Sequence, residues 1–381
     1  MNAKKRSIDR SIKGQKRIVA KFGTNLLTAG TDRLNLEVMA ALVGQVAKLH
    51  RRGLEVTIVS SGAIAAGRQK LGLAKERRDI PSKQVMAAVG QSALMHSYEQ
   101  LFDWHGITVA QTLLTKADLA DRQGYLNARN TLLALLELGV VPIVNENDVV
   151  AVDELEGAAF GDNDNLSAMV ANLVDADLLL LLGDVAGLYT ADPSKDKSAR
   201  LIPRVDHIDD EIERLAGGPA GQGHGGMATK IQAAKLATAS GTTVIIADGR
   251  ERDVLLRLAD GEPIGTLFPA ATSKMEGRKR FLLTGLATKG KLEVDEGAVI
   301  ALKEQNRSLL PAGIKAVAGD FDRGDAVDIV DAQGRRIACG ISNYSSEDIA
   351  KIKGAHSDQI ESLLGYGYGD EVVHRNNLVV L

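Results

Sequence analysis

Three observations predict an α/β architecture: an open, mostly parallel sheet with helices on both faces, followed by a small C-terminal β-barrel. Short apolar runs alternate with longer helix-patterned segments from Arg17 to about Pro269. Polar clusters rich in glycine, asparagine and aspartate follow several of those runs, and beyond Arg280 the texture changes to short strands and tight turns. The first apolar runs, 18–20, 56–59, 107–110 and 140–144, are short and largely β-branched, as buried parallel strands are. Between them, 36–50, 64–71, 83–102 and 125–138 are long enough to serve as crossover helices. The alternation resumes with a strand at 178–182, a helix at 227–239 and a strand at 243–247, and it closes at Gly265-Thr266-Leu267-Phe268.

The organisation that follows is a basic extension over 1–16, an α/β domain over 17–269, a polar linker over 270–280 and a second domain with its tail over 281–381. In the last of these, strands are expected at 299–302, 314–317, 327–330 and 337–341, punctuated by Gly-Asp, Arg-Gly-Asp and Gln-Gly turns. Bulk properties narrow the function classes. The 381 residues carry a formal charge of −3, so nothing global attracts nucleic acid or an anionic membrane, and any phosphate site must be local. A single cysteine, Cys339, excludes an intrachain disulfide framework and a cysteine zinc cluster. No apolar stretch is long enough to span a membrane, and 1–16 lacks the apolar core of a signal peptide, so a cytoplasmic location is expected.

The chemistry is expected where strands end, because open parallel sheets place ligands at the carboxyl edge. Lys21, in Lys21-Phe22-Gly23-Thr24-Asn25, ends the first strand; it is either a strand-end lysine reaching solvent or a partner for an anion. Ser60-Ser61-Gly62-Ala63-Ile64-Ala65-Ala66-Gly67 follows the second, where small residues permit tight helix packing or close approach of helix amides to a ligand. Asn145-Glu146-Asn147-Asp148 follows the strand at 140–144, and Asp148 could bind an amino group or merely close an Asx turn. Gly183-Asp184 after 178–182 fits a nucleotide-facing loop.

Gly161-Asp162-Asn163-Asp164-Asn165 leads directly into an apolar helical run. Asp162 or Asn163 makes a good helix cap, yet four consecutive polar residues exceed what a cap needs and point to a polar ligand. The glycine cluster 221–226 runs into Met227-Ala228-Thr229-Lys230. It is not a dinucleotide fingerprint, since no strand precedes it, nor a Walker loop, which occurs nowhere in the chain. Lys230 lies about one turn inside that helix, where a cation is unfavourable unless an anion is bound, and phosphate suits. His-Glu-x-x-His and Gly-x-Ser-x-Gly are absent, leaving zinc and serine hydrolysis unsupported.

Taken in order, Lys21-Phe-Gly-Thr, Ser60-Ser-Gly-Ala-Ile-Ala-Ala-Gly, Asn145-Glu-Asn-Asp, Gly161-Asp-Asn-Asp-Asn-Leu-Ser-Ala and Gly225-Gly-Met-Ala-Thr-Lys resemble the amino-acid kinase family. The tail resembles a PUA domain in Val294-Asp-Glu-Gly-Ala, Ser308-Leu-Leu-Pro-Ala-Gly-Ile and Gly319-Asp-Phe-Asp-Arg-Gly-Asp. Within the family the likeness is to members that phosphorylate the side-chain carboxylate of L-glutamate with ATP, the first step of proline biosynthesis. The resemblance implies that Ser61, Asp148 and Asn163 bind glutamate. It implies Lys21, Gly183, Asp184, His224, Gly225, Gly226, Met227, Ala228, Thr229 and Lys230 for ATP, and Lys21, Lys230 and Asp164 for catalysis. The chain departs from the family pattern at Gly183 and His224, where threonine is usual; a backbone N–H survives either change. Mg2+ accompanies ATP, its protein ligands unassigned, and the family implies a homo-oligomer, dimer or tetramer, inhibited by L-proline. Aspartate or nucleoside-monophosphate kinases of the same fold are the alternatives. An RNA-binding role for the PUA-like domain meets an opposing charge: residues 290–381 hold 10 Lys plus Arg and 15 Asp plus Glu, a balance of −5.

Overall fold

A computed structural model describes residues 16–73, 79–151, 163–217, 226–272 and 288–381. Among them, 16–120 with 127–272 form one compact unit, and 121–126 with 288–381 form another. The extension short of Lys16, the linker beyond Thr272, and Gly161, Asp162, His224 and Gly225 lie outside the described residues.

The first unit runs β1 (Arg17–Phe22), α1 (Thr24–Leu27), α2 (Leu36–Arg51), β2 (Glu55–Ser60), α3 (Ala63–Leu71), α4 (Ile80–Asp103), β3 (Val109–Leu114), α5 (Lys116–Ala120), α6 (Arg122–Glu137, of which 127–137 belong to this unit), β4 (Val141–Glu146), α7 (Asn163–Leu173), β5 (Leu178–Gly183), α8 (Asp210–Leu215), α9 (Gly226–Ala239), β6 (Thr243–Asp248), α10 (Val254–Ala259) and β7 (Thr266–Phe268). One seven-stranded sheet has the order β3-β4-β2-β1-β5-β6-β7, parallel throughout except for β7. The central strands are buried along their length, which is why they read as near-continuous apolar runs. β3 instead sits at the edge. Its polar Gln111 and Thr112 interrupt the apolar signal, so the strand lies at Val109–Leu114 where the sequence pattern suggested 107–110.

Helix positions follow from caps and faces. Asn35 Oδ1 accepts from Val38 N at 3.0 Å to start α2, whose Met39, Leu42, Val43, Val46 and Leu49 turn one apolar stripe to the core. Burying each such side chain contributes about 1.5–3 kcal/mol. Asp79 Oδ1 accepts from Ser82 N at 3.0 Å at the head of α4. α3 and α4 then pack backbone to backbone through two glycines: a Cβ at Gly67 would lie 1.8 Å from the Met86 carbonyl oxygen, and one at Gly90 would lie 1.7 Å from that of Ala63. Only glycine fits either place.

The second unit holds β8 (Gly290–Val294), β9 (Ile314–Gly319), β10 (Ala326–Val330), β11 (Arg336–Ile341) and β12 (Leu378–Val380), ordered β12-β11-β10-β8-β9. β8 and β10 are parallel and the other pairs antiparallel. Leu292, Ile329, Ile337, Tyr344, Ile349 and Val373 are in its core. The strand expected at 299–302 is a helix, Glu296–Lys303, begun by Asp295, whose Oδ1 accepts from Ala298 N at 2.8 Å. A short apolar run does not by itself distinguish strand from helix, and the aspartate two residues into the motif tipped the balance. Among the described residues no helix is long and apolar enough to cross a membrane.

Candidate active site

Strand order reverses at β1, with β2 and β4 on one side and β5 and β6 on the other, so the crevice for a ligand opens at the carboxyl ends of these strands. Phe22 pairs with Ser60 on one flank and with Leu182 on the other, which sets Lys21, Ser60-Ser61 and Gly183 at one level. Continuing the β2–β4 register brings Asn145 opposite Ser60. Helices α7 and α9 begin at the same edge.

The charged half of the site centres on Asp164 in the first turn of α7. Its Oδ1 lies 2.6 Å from Lys21 Nζ and its Oδ2 lies 3.0 Å from Lys230 Nζ. Thr229 Oγ1 donates to the same Oδ2 at 2.8 Å, and Lys230 Nζ also reaches the Gly226 carbonyl at 3.2 Å. All three charged side chains are buried, Asp164 to 1%, Lys21 to 3% and Lys230 to 7% exposure. Burial alone would raise the Asp164 carboxyl; the two ammonium groups and the Thr229 hydroxyl outweigh it and hold the group below the ordinary carboxylate range. Two ammonium groups thus converge on one carboxylate away from bulk water, and an anion entering there would meet both of them. Glycines adjoin this cluster: a Cβ on Gly23 or Gly226 would stand in ordinary contact, 3.7 or 3.6 Å, with the Lys21 or Lys230 ammonium.

One residue earlier the chemistry is neutral. Asn163 Nδ2 donates toward Ser60 O at 3.0 Å, Ser61 Oγ at 3.1 Å and Asn145 Oδ1 at 3.1 Å. Asn145 Nδ2 in turn donates to Gln91 Oε1 at 2.8 Å. Ser60 Oγ lies 3.1 Å from the Ser61 carbonyl and shares a 2.9 Å hydrogen bond with the Tyr98 hydroxyl, and burial pushes that phenol up from its ordinary value. Asp148 lies two residues beyond β4 in a turn closed by Val150 N and Ala151 N on the Asn147 carbonyl, and it is half-buried.

Across β1, Asp184 follows β5 with its side chain exposed. Asn25 Nδ2 donates to its Oδ2 at 3.1 Å, Arg250 Nη2 to its carbonyl at 2.7 Å, and Gly249 N to the Gly183 carbonyl at 2.8 Å. A Cβ at Gly183 would touch Lys230 Cε at 3.4 Å, an ordinary contact, so the β5 end lies directly against the lysine stem. Gly226, Met227, Ala228 and Thr229 form the first turn of α9.

The profile of the Amino acid kinase family matches residues 16–248, and that of the PUA domain matches 290–364. Glutamate 5-kinase of Dehalococcoides mccartyi is 58% identical over 96% of this chain and 98% of its own. The chain belongs to the amino acid kinase family, among its glutamate 5-kinases. Further glutamate 5-kinases, from Herpetosiphon aurantiacus and Shewanella amazonensis, are 53% and 51% identical over 95% and 97% of this chain, and the alignments take in 98% and 97% of those relatives.

For a glutamate 5-kinase the sequence signals divide by range. Lys21, Asp164 and Lys230 come together, as do Ser61 and Asn163, and Asp148 stands in the half-buried turn that follows β4. Sequence reading missed Gln91 and the orienting roles of Asn145, Asn25 and Arg250. Asn145 carried a signal in its polar strand-end cluster. Gln91 carried none, being one polar residue on a long helix.

Proposed function

We propose that this chain transfers the γ-phosphoryl group of ATP to the side-chain carboxylate of L-glutamate, giving L-glutamyl 5-phosphate. The observation that carries the reading is Asp164 held between Lys21 and Lys230 at the switch point of the sheet, within one residue of the amide cluster around Asn163. A glutamate side chain, with a reference pKa near ~4.3, is ionised at neutral pH and needs no general base. What the step requires is charge compensation as a carboxylate approaches a polyphosphate, with both held in line.

In this reading Lys21 and Lys230 meet the moving phosphoryl group and its neighbours, and Asp164 keeps the two ammonium groups apart and aimed. Ser61, Asn163 and Asp148 bind glutamate, with Asp148 the partner of the α-ammonium group. Gly183 and Asp184 face the nucleoside, and the first turn of α9 with the preceding His224 and Gly225 surrounds the phosphates. Mg2+ enters with ATP. Among the described residues no group of three or more acidic, histidine or cysteine side chains gathers to hold a metal, consistent with an ion bound chiefly through phosphates and one or two carboxylates. Cytoplasmic location, a homo-oligomeric state, inhibition by L-proline and a kinase domain spanning 17–269 complete the proposal, and they rest on the family resemblance. Measuring ATP consumption with glutamate, aspartate, N-acetylglutamate, carbamate and UMP in parallel tests the reading. Turnover is expected with glutamate, and its absence there would reject the assignment.

A further inference from the structure

Gln91 lies outside every motif that pointed to the site, yet it joins the amide cluster through a part-buried contact. It sits on α4 immediately after Gly90, the residue whose missing Cβ lets α4 meet the backbone of α3. That close crossing sets α4 near enough to the sheet edge for Gln91 Oε1 to accept from Asn145 Nδ2 at 2.8 Å. With its amide hydrogens engaged there, Asn145 presents Oδ1 as the acceptor for Asn163 Nδ2 at 3.1 Å. The order of donors and acceptors is therefore dictated from one end: were the Gln91 amide turned over, two NH2 groups would face each other, and Asn145 would have to turn as well.

The outcome of this order is a defined polarity. Asn163 Nδ2 faces Ser60, Ser61 and Asn145, so its Oδ1 is the atom left over, and Asn163 Oδ1 and Gln91 Nε2 are both buried without a hydrogen-bond partner among the described residues. A buried acceptor and a buried donor without partners are costly in the free protein unless a ligand completes them. An amino acid carries both complements, an ammonium donor and carboxylate acceptors.

We propose that Gln91 is a positioning residue for the amino-acid substrate, acting through Asn145 to fix which face Asn163 offers the ligand. The inference rests on the glutamate reading above. It predicts that Gln91→Met raises the glutamate KM about tenfold, the scale of one lost hydrogen bond, with kcat and the ATP KM within about twofold of the parent. Gln91→Asn, which stays polar but is one methylene too short to reach Asn145, should act in the same direction. In an Asn145→Ala background, Gln91→Met should add less than about twofold, because the route through Asn145 is already cut.

Steady-state kinetics of the full chain against glutamate and ATP separately, with thermal midpoints confirming that each variant is folded, decides the matter. An unchanged glutamate KM in folded Gln91→Met or Gln91→Asn, equal rises in both KM values, or full additivity with Asn145→Ala would overturn the inference while glutamate turnover by the parent still stands. Absence of glutamate turnover in the parent would instead overturn the reading beneath it.

Discussion

Asn163 and Asp164 are neighbours in the first turn of α7, and they serve two regions with opposite physics. Asp164 is held by ions: two lysines and a hydroxyl surround its carboxylate in a dry setting. Asn163 is held by neutral amides and carbonyls. On the proposed reading, the difference teaches how one helix start can serve both partners of a phosphoryl transfer. Strong, long-range charge compensation belongs where the phosphates meet the nucleophile. Directional neutral bonds belong where a small zwitterion must be recognised, because they fix orientation without attracting every anion.

Breaking the ionic region should have the largest effect. Asp164→Asn leaves two buried ammonium groups without their shared anion, and a loss of about 3–5 kcal/mol in stability is expected from denaturant unfolding, with kcat falling by about three decades or more. Lys21→Ala and Lys230→Ala each should lower kcat by about two decades, corresponding to ~3 kcal/mol in the transition state, with the thermal midpoint less affected than in Asp164→Asn. Near-normal turnover in either lysine variant would remove that residue from the mechanism.

The neutral region should answer differently. Asp148→Asn is expected to raise the glutamate KM about tenfold, the scale of one charge-assisted bond, with kcat little changed. An unchanged KM would leave Asp148 as a turn residue only. The smallest and slowest-varying effect is in pH. Because the folded Asp164 carboxyl titrates below its unfolded value of about 3.9, its contribution to stability is complete above that pH and is lost as the pH falls through the folded value. The stability gap between the parent and Asp164→Asn should therefore narrow only in strongly acidic solution. A gap that narrowed between pH 5 and 7 would place the carboxyl's titration on the wrong side.

Much of the α/β framework was legible because its signals are local and repeated. The apolar runs of β1, β2, β4 and β5 identify buried parallel strands, and the long periodic stretch of α2 with Asn35 before it identifies a capped helix. Lys21, Asp164 and Lys230 were legible as candidates because a cation at a strand end, an acid in a polar helix start and a lysine one turn inside a glycine-led helix are each locally unfavourable without a partner. Signals failed where local sequence is ambiguous. β3 hides as a half-exposed edge strand, and the apolar residues of Glu296–Lys303 fit strand and helix equally until Asp295 is seen to cap them. Gln91 failed for a different reason: its significance lies wholly in Asn145, brought to it by the glycine contact between α3 and α4.

The sequence by itself determined the inventory and its level: which strands run parallel at the centre and which polar clusters sit at their carboxyl ends. Periodicity, caps and strand-end placement act over a few residues and are written in order along the chain. Only the tertiary structure decided the pairings, with Lys21 and Lys230 arriving at the same carboxylate from opposite ends of the domain and Gln91 setting the polarity of Asn163 through Asn145. Hydrogen bonds and ion pairs depend on separations of about 3 Å in space. Distance along the chain does not encode them.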